Sequence, residues 1–135
     1  MSRLYLLDTD ICAFILRRSP ERLLERVQSV PLDQQCISMM TLAELLFGVE
    51  KSNRKKANRA AVEALVQHLA VLDWSRATAE CYAGIRVDLE RRGQMIGASD
   101  LMIAAHALSV GATLVTNNVR DFRRVKSLVV ENWTE

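Results

Sequence analysis

Leu4-Tyr5-Leu6-Leu7-Asp8-Thr9-Asp10-Ile11 is the stretch whose reading decides the fold. An apolar run of strand length stops at an acid, and a helix-like pattern from Ile11 to Leu16 begins at once. A strand that is apolar throughout is one covered on both faces. The same grammar returns twice. Cys36-Ile37-Ser38 precedes Thr41-Leu42-Ala43-Glu44-Leu45-Leu46, and Gly97-Ala98-Ser99-Asp100 opens the apolar stretch Leu101 to Leu108. Each time a carboxylate stands at or just past the start of a helix.

Outward from there, strands and helices alternate. The pattern predicts strands at Leu4–Leu7, Cys36–Ser38, Ala70–Leu72, Ala112–Thr116 and Leu128–Val130. Helices are predicted from Asp10 to Arg17, from Pro20 with Ser19 as cap, from Thr41 to Lys51, and from Arg54 to Leu69. A further long helix runs from a Ser75 cap to Arg91 and closes at Gly93. The next begins at Gly97 and closes at Gly111, and Val119–Phe122 forms a single helical turn. Alternation of this kind predicts a mostly parallel sheet between two layers of helices, an α/β fold. Ligands of such sheets sit beyond the carboxyl ends of the strands. Residues 1–135 read as one domain, because 135 residues fit one core and no Gly/Pro/Ser linker divides them.

Composition narrows the function. Half the residues are hydrophobic and a quarter are charged, as in a soluble globular protein, and aromatics are only 5%, so the core is aliphatic. The net charge of +2 permits a polyanionic partner without demanding one. No apolar run is long enough to span a membrane, and Asp8 interrupts what would otherwise start like a secretory signal. Cys12, Cys36 and Cys81 are odd in number and lack metal-site spacing, so they read as free thiols of a reducing cytoplasm.

Each acid has a structural account. Asp8 can cap the first helix. Thr41-x-x-Glu44 has the spacing of a capping box. Asp100 suits the positive end of a helix dipole. Taken together they say more, because a doubly wound sheet brings strand ends to one edge. Asp8, Glu44 and Asp100 in one notch would repel, so one must hold a proton or a cation must neutralise them. Carboxylate oxygens without His or Cys select Mg2+ or Mn2+ over zinc. Such a site is sufficient for phosphodiester hydrolysis without a Ser–His or Cys–His pair.

Four motifs occur in order: the strand-Asp-Thr-Asp start, Ser38-x-x-Thr41-x-Ala43-Glu44-Leu45-x-x-Gly48, Asp100-x-x-Ile103-Ala104-Ala105, and Leu114-Val115-Thr116-Asn117-Asn118-x-x-Asp121-Phe122. Together they resemble a PIN-domain ribonuclease and are most similar to the VapC-type toxins of bacterial toxin–antitoxin pairs. The resemblance implies a three-layer α/β/α domain with a five-stranded parallel sheet. It implies a Mg2+- or Mn2+-dependent endoribonuclease, homodimers and inhibition by a small antitoxin protein. Some toxins of this group cleave initiator tRNA in the anticodon stem-loop. By position, Asp8 and Asp100 are implied metal ligands and Glu44 completes the set. A fourth acid in many family members falls at Asn118, which is neutral here, so Asp121, three residues further on, takes the acid role, and Asn118 can still hydrogen-bond a water or phosphate.

Other residues carry weaker signals. Thr9 and Thr116 can orient the carboxylates. Arg54-Lys55-Lys56 and Arg120, Arg123, Arg124 and Lys126 can follow an RNA backbone, or simply be solvated. His68 and His106 read as packing or surface residues, and Trp74 and Trp133 as packing residues. Two rival functions stand: an aspartate-based phosphatase or receiver-like module, in which Asp8 attacks phosphate and Asp10 is the acid, and a catalytically inactive binding module.

Overall fold

The computed structural model describes residues 3–135. Five strands form one wholly parallel sheet in the order β3-β2-β1-β4-β5. They are β1 (Tyr5–Leu7), β2 (Gln35–Ser38), β3 (Ala70–Leu72), β4 (Thr113–Val115) and β5 (Val130–Glu131). Seven α-helices connect and cover them: α1 (Thr9–Leu16), α2 (Glu21–Ser29), α3 (Met39–Glu50), α4 (Lys55–Val66), α5 (Arg76–Arg91), α6 (Ala98–Ser109) and α7 (Val119–Phe122). None of the helices among the described residues is long and apolar enough to cross a membrane.

The period of two along each strand divides the core. Tyr5, Leu7, Ile37 and Val115 face one layer, packed with Ile11, Leu23, Leu45, Val49 and Val62 from α1 to α4. Leu6, Cys36 and Leu114 face the other, with Leu89, Leu101, Ala104 and Phe122 from α5 to α7. Both layers are mainly aliphatic, as the scarcity of aromatics required, with Tyr5 and Trp133 buried in the first and Phe122 in the second. Continuously apolar strands are what a sheet buried on two sides needs.

β1 is the central strand. The chain leaves it on one side to build β2 and β3, then crosses back to place β4 on the other. The carboxyl ends of β1 and β4 therefore flank the crevice where the winding reverses, and Leu7 pairs with Val115 at its edge. Asp8 is the next residue.

Helix ends explain much of the boundary agreement. Gly93 and Gly111 both adopt positive φ, +63° and +68°. Each follows a helix whose last carbonyls are taken by the Schellman pair of bonds, Gln94 N–H to Leu89 O with Gly93 N–H to Glu90 O, and Ala112 N–H to Ala107 O with Gly111 N–H to Leu108 O. Ser75 caps α5 in a capping box with Thr78. Three expectations fail. Ser19 does not cap α2; Pro20 holds that position, without a side-chain bond. The Thr41–Glu44 capping box does not form, because α3 starts earlier and Ser38 is its cap, its Oγ accepting Met40 N–H at 3.1 Å. The last strand is Val130–Glu131, since Leu128 instead packs into the second core layer.

Candidate active site

The structure brings five carboxylates to the carboxyl edge of β1 and β4. Asp8 directly follows β1 and caps α1. It is 4% exposed, and both of its oxygens are held: Oδ1 accepts Thr9 N–H at 2.8 Å and Oδ2 accepts the Thr116 hydroxyl at 2.7 Å. Thr116 directly follows β4. Capping and site-building are thus the same placement here, and the two readings of Asp8 do not compete.

Glu44 lies inside α3, one turn past Thr41, which is buried. The Thr9 hydroxyl donates to Glu44 Oε1 at 2.5 Å and sits 3.1 Å from Thr41 Oγ1. Freed from any capping duty, Glu44 reaches across to α1. Asp100 stands in the first turn of α6, half-buried. Asp121 is carried by α7. Between these two stands Asn118, whose Nδ2 donates to Asp100 Oδ2 at 3.3 Å and to Asp121 Oδ2 at 3.2 Å. The two candidates for the fourth position are therefore parts of one arrangement, an amide bridging two acids. Asp121 Oδ1 also lies 3.8 Å from Arg124, a half-exposed pair of small energetic weight.

Asp10 is the acid that sequence reasoning left out of this set. In the first turn of α1, its Oδ2 accepts Asn117 N–H at 3.1 Å, while Oδ1 is buried with no donor. The signal was present, since residues 8 and 10 flank a helix start and the helix turns residue 10 back over the strand end.

The electrostatics follow from the crowding. Burial first, then the charges of Asp10 and Asp100, raise the Asp8 carboxyl to about 7. Asp100 is raised by burial and by Glu44, Asp121 and Asp10. Asp10 is raised by burial. The folded chain thus holds the Asp8 proton more tightly than the unfolded chain, where a carboxyl titrates near about 3.9. Stability from this source is full below that value and is lost as the pH rises through about 7. Cation-free protein is expected to melt at a higher temperature at pH 5.5 than at pH 8, with the difference reduced in Asp8→Asn. Equal melting temperatures for the wild type at the two pH values would contradict the crowding.

No three of these acids, nor any other three His, Cys, Asp or Glu side chains among the described residues, close into a cation cage. The donor set nonetheless fits a hard divalent cation. It consists of carboxylate oxygens on four separate elements, it raises its own proton affinity, and it contains the unpartnered Oδ1 of Asp10. The thiols do not compete, because burial pushes Cys12 and Cys36 up, Cys36 to about 12.

Of the basic residues, Arg124 is committed to Met95 O and Asp121, and Lys126 to Asp88. Arg120 and Arg123 make no ion pair among the described residues. Trp133 is 4% exposed and meets Tyr5 edge-on, and Trp74 meets Tyr82, so both pack rather than present a stacking platform.

A family profile for the PIN domain matches residues 5–128. The chain is 37% identical to the protein described as ribonuclease VapC2 of Rickettsia felis, over 96% of this chain and 98% of the relative. It is 42% identical to the protein described as tRNA(fMet)-specific endonuclease VapC of Shigella flexneri, with the same coverage. The crystal structure of DNA-bound VapBC from Salmonella typhimurium superposes with a TM-score of 0.92 at 40% identity, covering 98% of this chain and 99% of that one. The chain belongs to the PIN domain family, among its VapC-type ribonucleases. A phosphatase or receiver-like module is not favoured, and the geometry agrees, because a nearly buried Asp8 with both oxygens held is a poor nucleophile.

Proposed function

We propose that this protein is the toxin of a bacterial toxin–antitoxin pair, a Mg2+- or Mn2+-dependent endoribonuclease of the cytoplasm built as one PIN-like domain over residues 1–135. The observation that carries the reading is the gathering of Asp8, Glu44, Asp100 and Asp121 from four elements at one edge of the sheet. Asp8 and Asp100 would hold the cation, and Glu44 and Asp121 would complete its surroundings. When bound, a divalent cation neutralises a phosphoryl oxygen and lowers the pKa of water.

The chain's own groups do the rest. Thr116 and Thr9 N–H fix the Asp8 carboxylate, and the Thr9 hydroxyl fixes Oε1 of Glu44. Glu44 Oε2 stays outside that bond and is the oxygen to orient water and take its proton. Asn118 spaces Asp100 from Asp121. The description of the Shigella flexneri relative, a tRNA(fMet)-specific endonuclease, supports initiator tRNA as the substrate, and the family resemblance supports a cut in its anticodon stem-loop. The VapBC complexes formed by structural relatives support a small antitoxin as the partner, and the family resemblance supports a homodimer.

The test is direct. Protein freed of antitoxin is incubated with labelled total RNA and purified initiator tRNA, with Mg2+ or Mn2+ and then with EDTA. Discrete cuts that EDTA prevents are expected; EDTA-resistant or absent cleavage would defeat the reading. Within it, Asp121→Asn is expected to reduce cleavage by about 10–100-fold and Asn118→Ala by under about tenfold, since the amide spaces acids and is not one. The reverse order in a side-by-side assay would move the fourth role to position 118.

A further inference from the structure

His106 has no place in the site described so far, yet it is fully buried. It lies on α6, six residues beyond Asp100, with its Nδ1 2.8 Å from Ser38 Oγ. Ser38 is also fully buried, ends β2 and caps α3. A single hydrogen bond across 68 residues of sequence thus joins the helix that carries Asp100 to the first turn of the helix that carries Glu44.

The protons can be followed. Ser38 Oγ already accepts Met40 N–H, so its own proton is best used in donating to Nδ1. That leaves the ring proton on Nε2, which has no partner of hydrogen-bond geometry and faces the backbone of Asp73 just past β3. The ring works in its neutral form, because a second proton would occupy the nitrogen that Ser38 needs. Burial favours that form by lowering its proton affinity. An apolar side chain would fill the same space but would not fix the rotation of α3. A buried polar pair has a direction as well as a contact.

We propose that His106 is a positioning residue for the acidic notch, holding the N-terminus of α3 against α6 through Ser38 and so fixing the span between Glu44 and Asp100. The inference rests on the endoribonuclease reading above, because only a cation site makes that span matter. His106 does not touch substrate; it acts through Ser38. Groups that orient a metal site from behind its ligands typically change affinity by about 10–100-fold when removed.

The experiment uses the full-length chain and three variants: His106→Leu, His106→Asn and Ser38→Ala. Mn2+ binding is measured by calorimetry without RNA, kcat and KM by tRNA cleavage, and stability by urea. His106→Leu is expected to weaken Mn2+ binding by about 10–100-fold and to lower kcat with little change in KM. His106→Asn, whose Oδ1 can take the Ser38 proton, is expected to recover most of the Mn2+ affinity. Ser38→Ala added to His106→Leu is expected to cost little further Mn2+ affinity, since the bond is already gone, while its urea stability falls again with the lost α3 cap. If His106→Leu fails to fold, Ser38→Ala severs the same bond, together with the cap on Met40 N–H, and is expected to show the same Mn2+ defect.

Mn2+ affinity and kcat within about twofold of wild type in both His106→Leu and Ser38→Ala would overturn the assignment, even with lower urea stability, which a purely structural role predicts. A His106→Asn variant no better than His106→Leu would overturn it too. A wild type that binds no Mn2+ would instead remove the cation site itself, and with it the ground for this inference.

Discussion

Asp8→Asn is expected to reduce RNA cleavage by roughly a thousandfold or more while the fold survives, an effect at or above that of losing one preorganised electrostatic partner in other enzymes. The variant preserves shape. Its amide oxygen can still accept Thr9 N–H, and its NH2 can meet the Thr116 oxygen, since a hydroxyl accepts as well as donates. What disappears is a charge at the centre of the notch, where Asp10 and Asp100 press on it. The physical consequence has two signs. Cation binding weakens, and cation-free stability at pH 8 should hold or rise, because one of several crowded charges is gone. Asp100→Asn should behave alike, less strongly in stability because Asp100 is only half-buried. Cleavage of labelled initiator tRNA and thermal melts with and without Mn2+ separate the two effects. A variant that cuts at the wild-type rate would remove Asp8 from the site. A variant that fails to fold would make its role structural.

How much of this was legible in the chain depends on range. Strand ends, helix ends and the acid after β1 are written locally: an apolar run stopped by Asp8, a glycine at position 93 or 111 that accepts positive φ, a Ser75 able to cap. Local chemistry also misled. Thr41-x-x-Glu44 has the spacing of a cap, yet Ser38 takes that role, because β2 ends there and its hydroxyl is also wanted by His106. That second demand comes from 68 residues away and leaves no mark beside Ser38. The bridging of Asp100 and Asp121 by Asn118 is similar. Sequence posed residues 118 and 121 as alternatives, and only the approach of the Asn118–Phe122 segment to the start of α6 makes them partners. The spacing of Asp10 from Asp8 already hinted at the site, but its unpartnered Oδ1 is a fact of burial that only the fold shows. β5 was placed two residues early at its start and one at its end because Leu128-Val129-Val130 reads as a strand, whereas Leu128 is spent on core packing.

Phe122→Ala is expected to be the most destabilising single change near the site, for a reason tied to function. α7 has only four residues, far too few for a helix to hold itself by its own hydrogen bonds. Phe122 is fully buried in the layer formed with Leu89, Leu101 and Leu114, and it anchors that turn. Its neighbour Asp121 and the bridging Asn118 are held in place by the same anchor. Truncating a buried Phe typically costs about 3–5 kcal/mol, a large part of the roughly 5–15 kcal/mol that stabilises a domain. For a chain of this size that corresponds to a fall in melting temperature of about 10–18 °C. Cleavage should fall before the protein melts, since Asp121 loses its place at lower cost than the core comes apart. If the notch binds a cation in the folded chain alone, as proposed, Mn2+ at about 100 times its Kd should return roughly 2.7 kcal/mol. Val125→Ala, which removes less volume from the same layer, serves as the comparison. A Phe122→Ala protein that loses less than about 1 kcal/mol would mean the layer collapses around the gap. One that keeps full cleavage at low temperature would mean that Asp121 is held by something other than its anchor, and would return the fourth acid's place to the exposed pairing with Arg124.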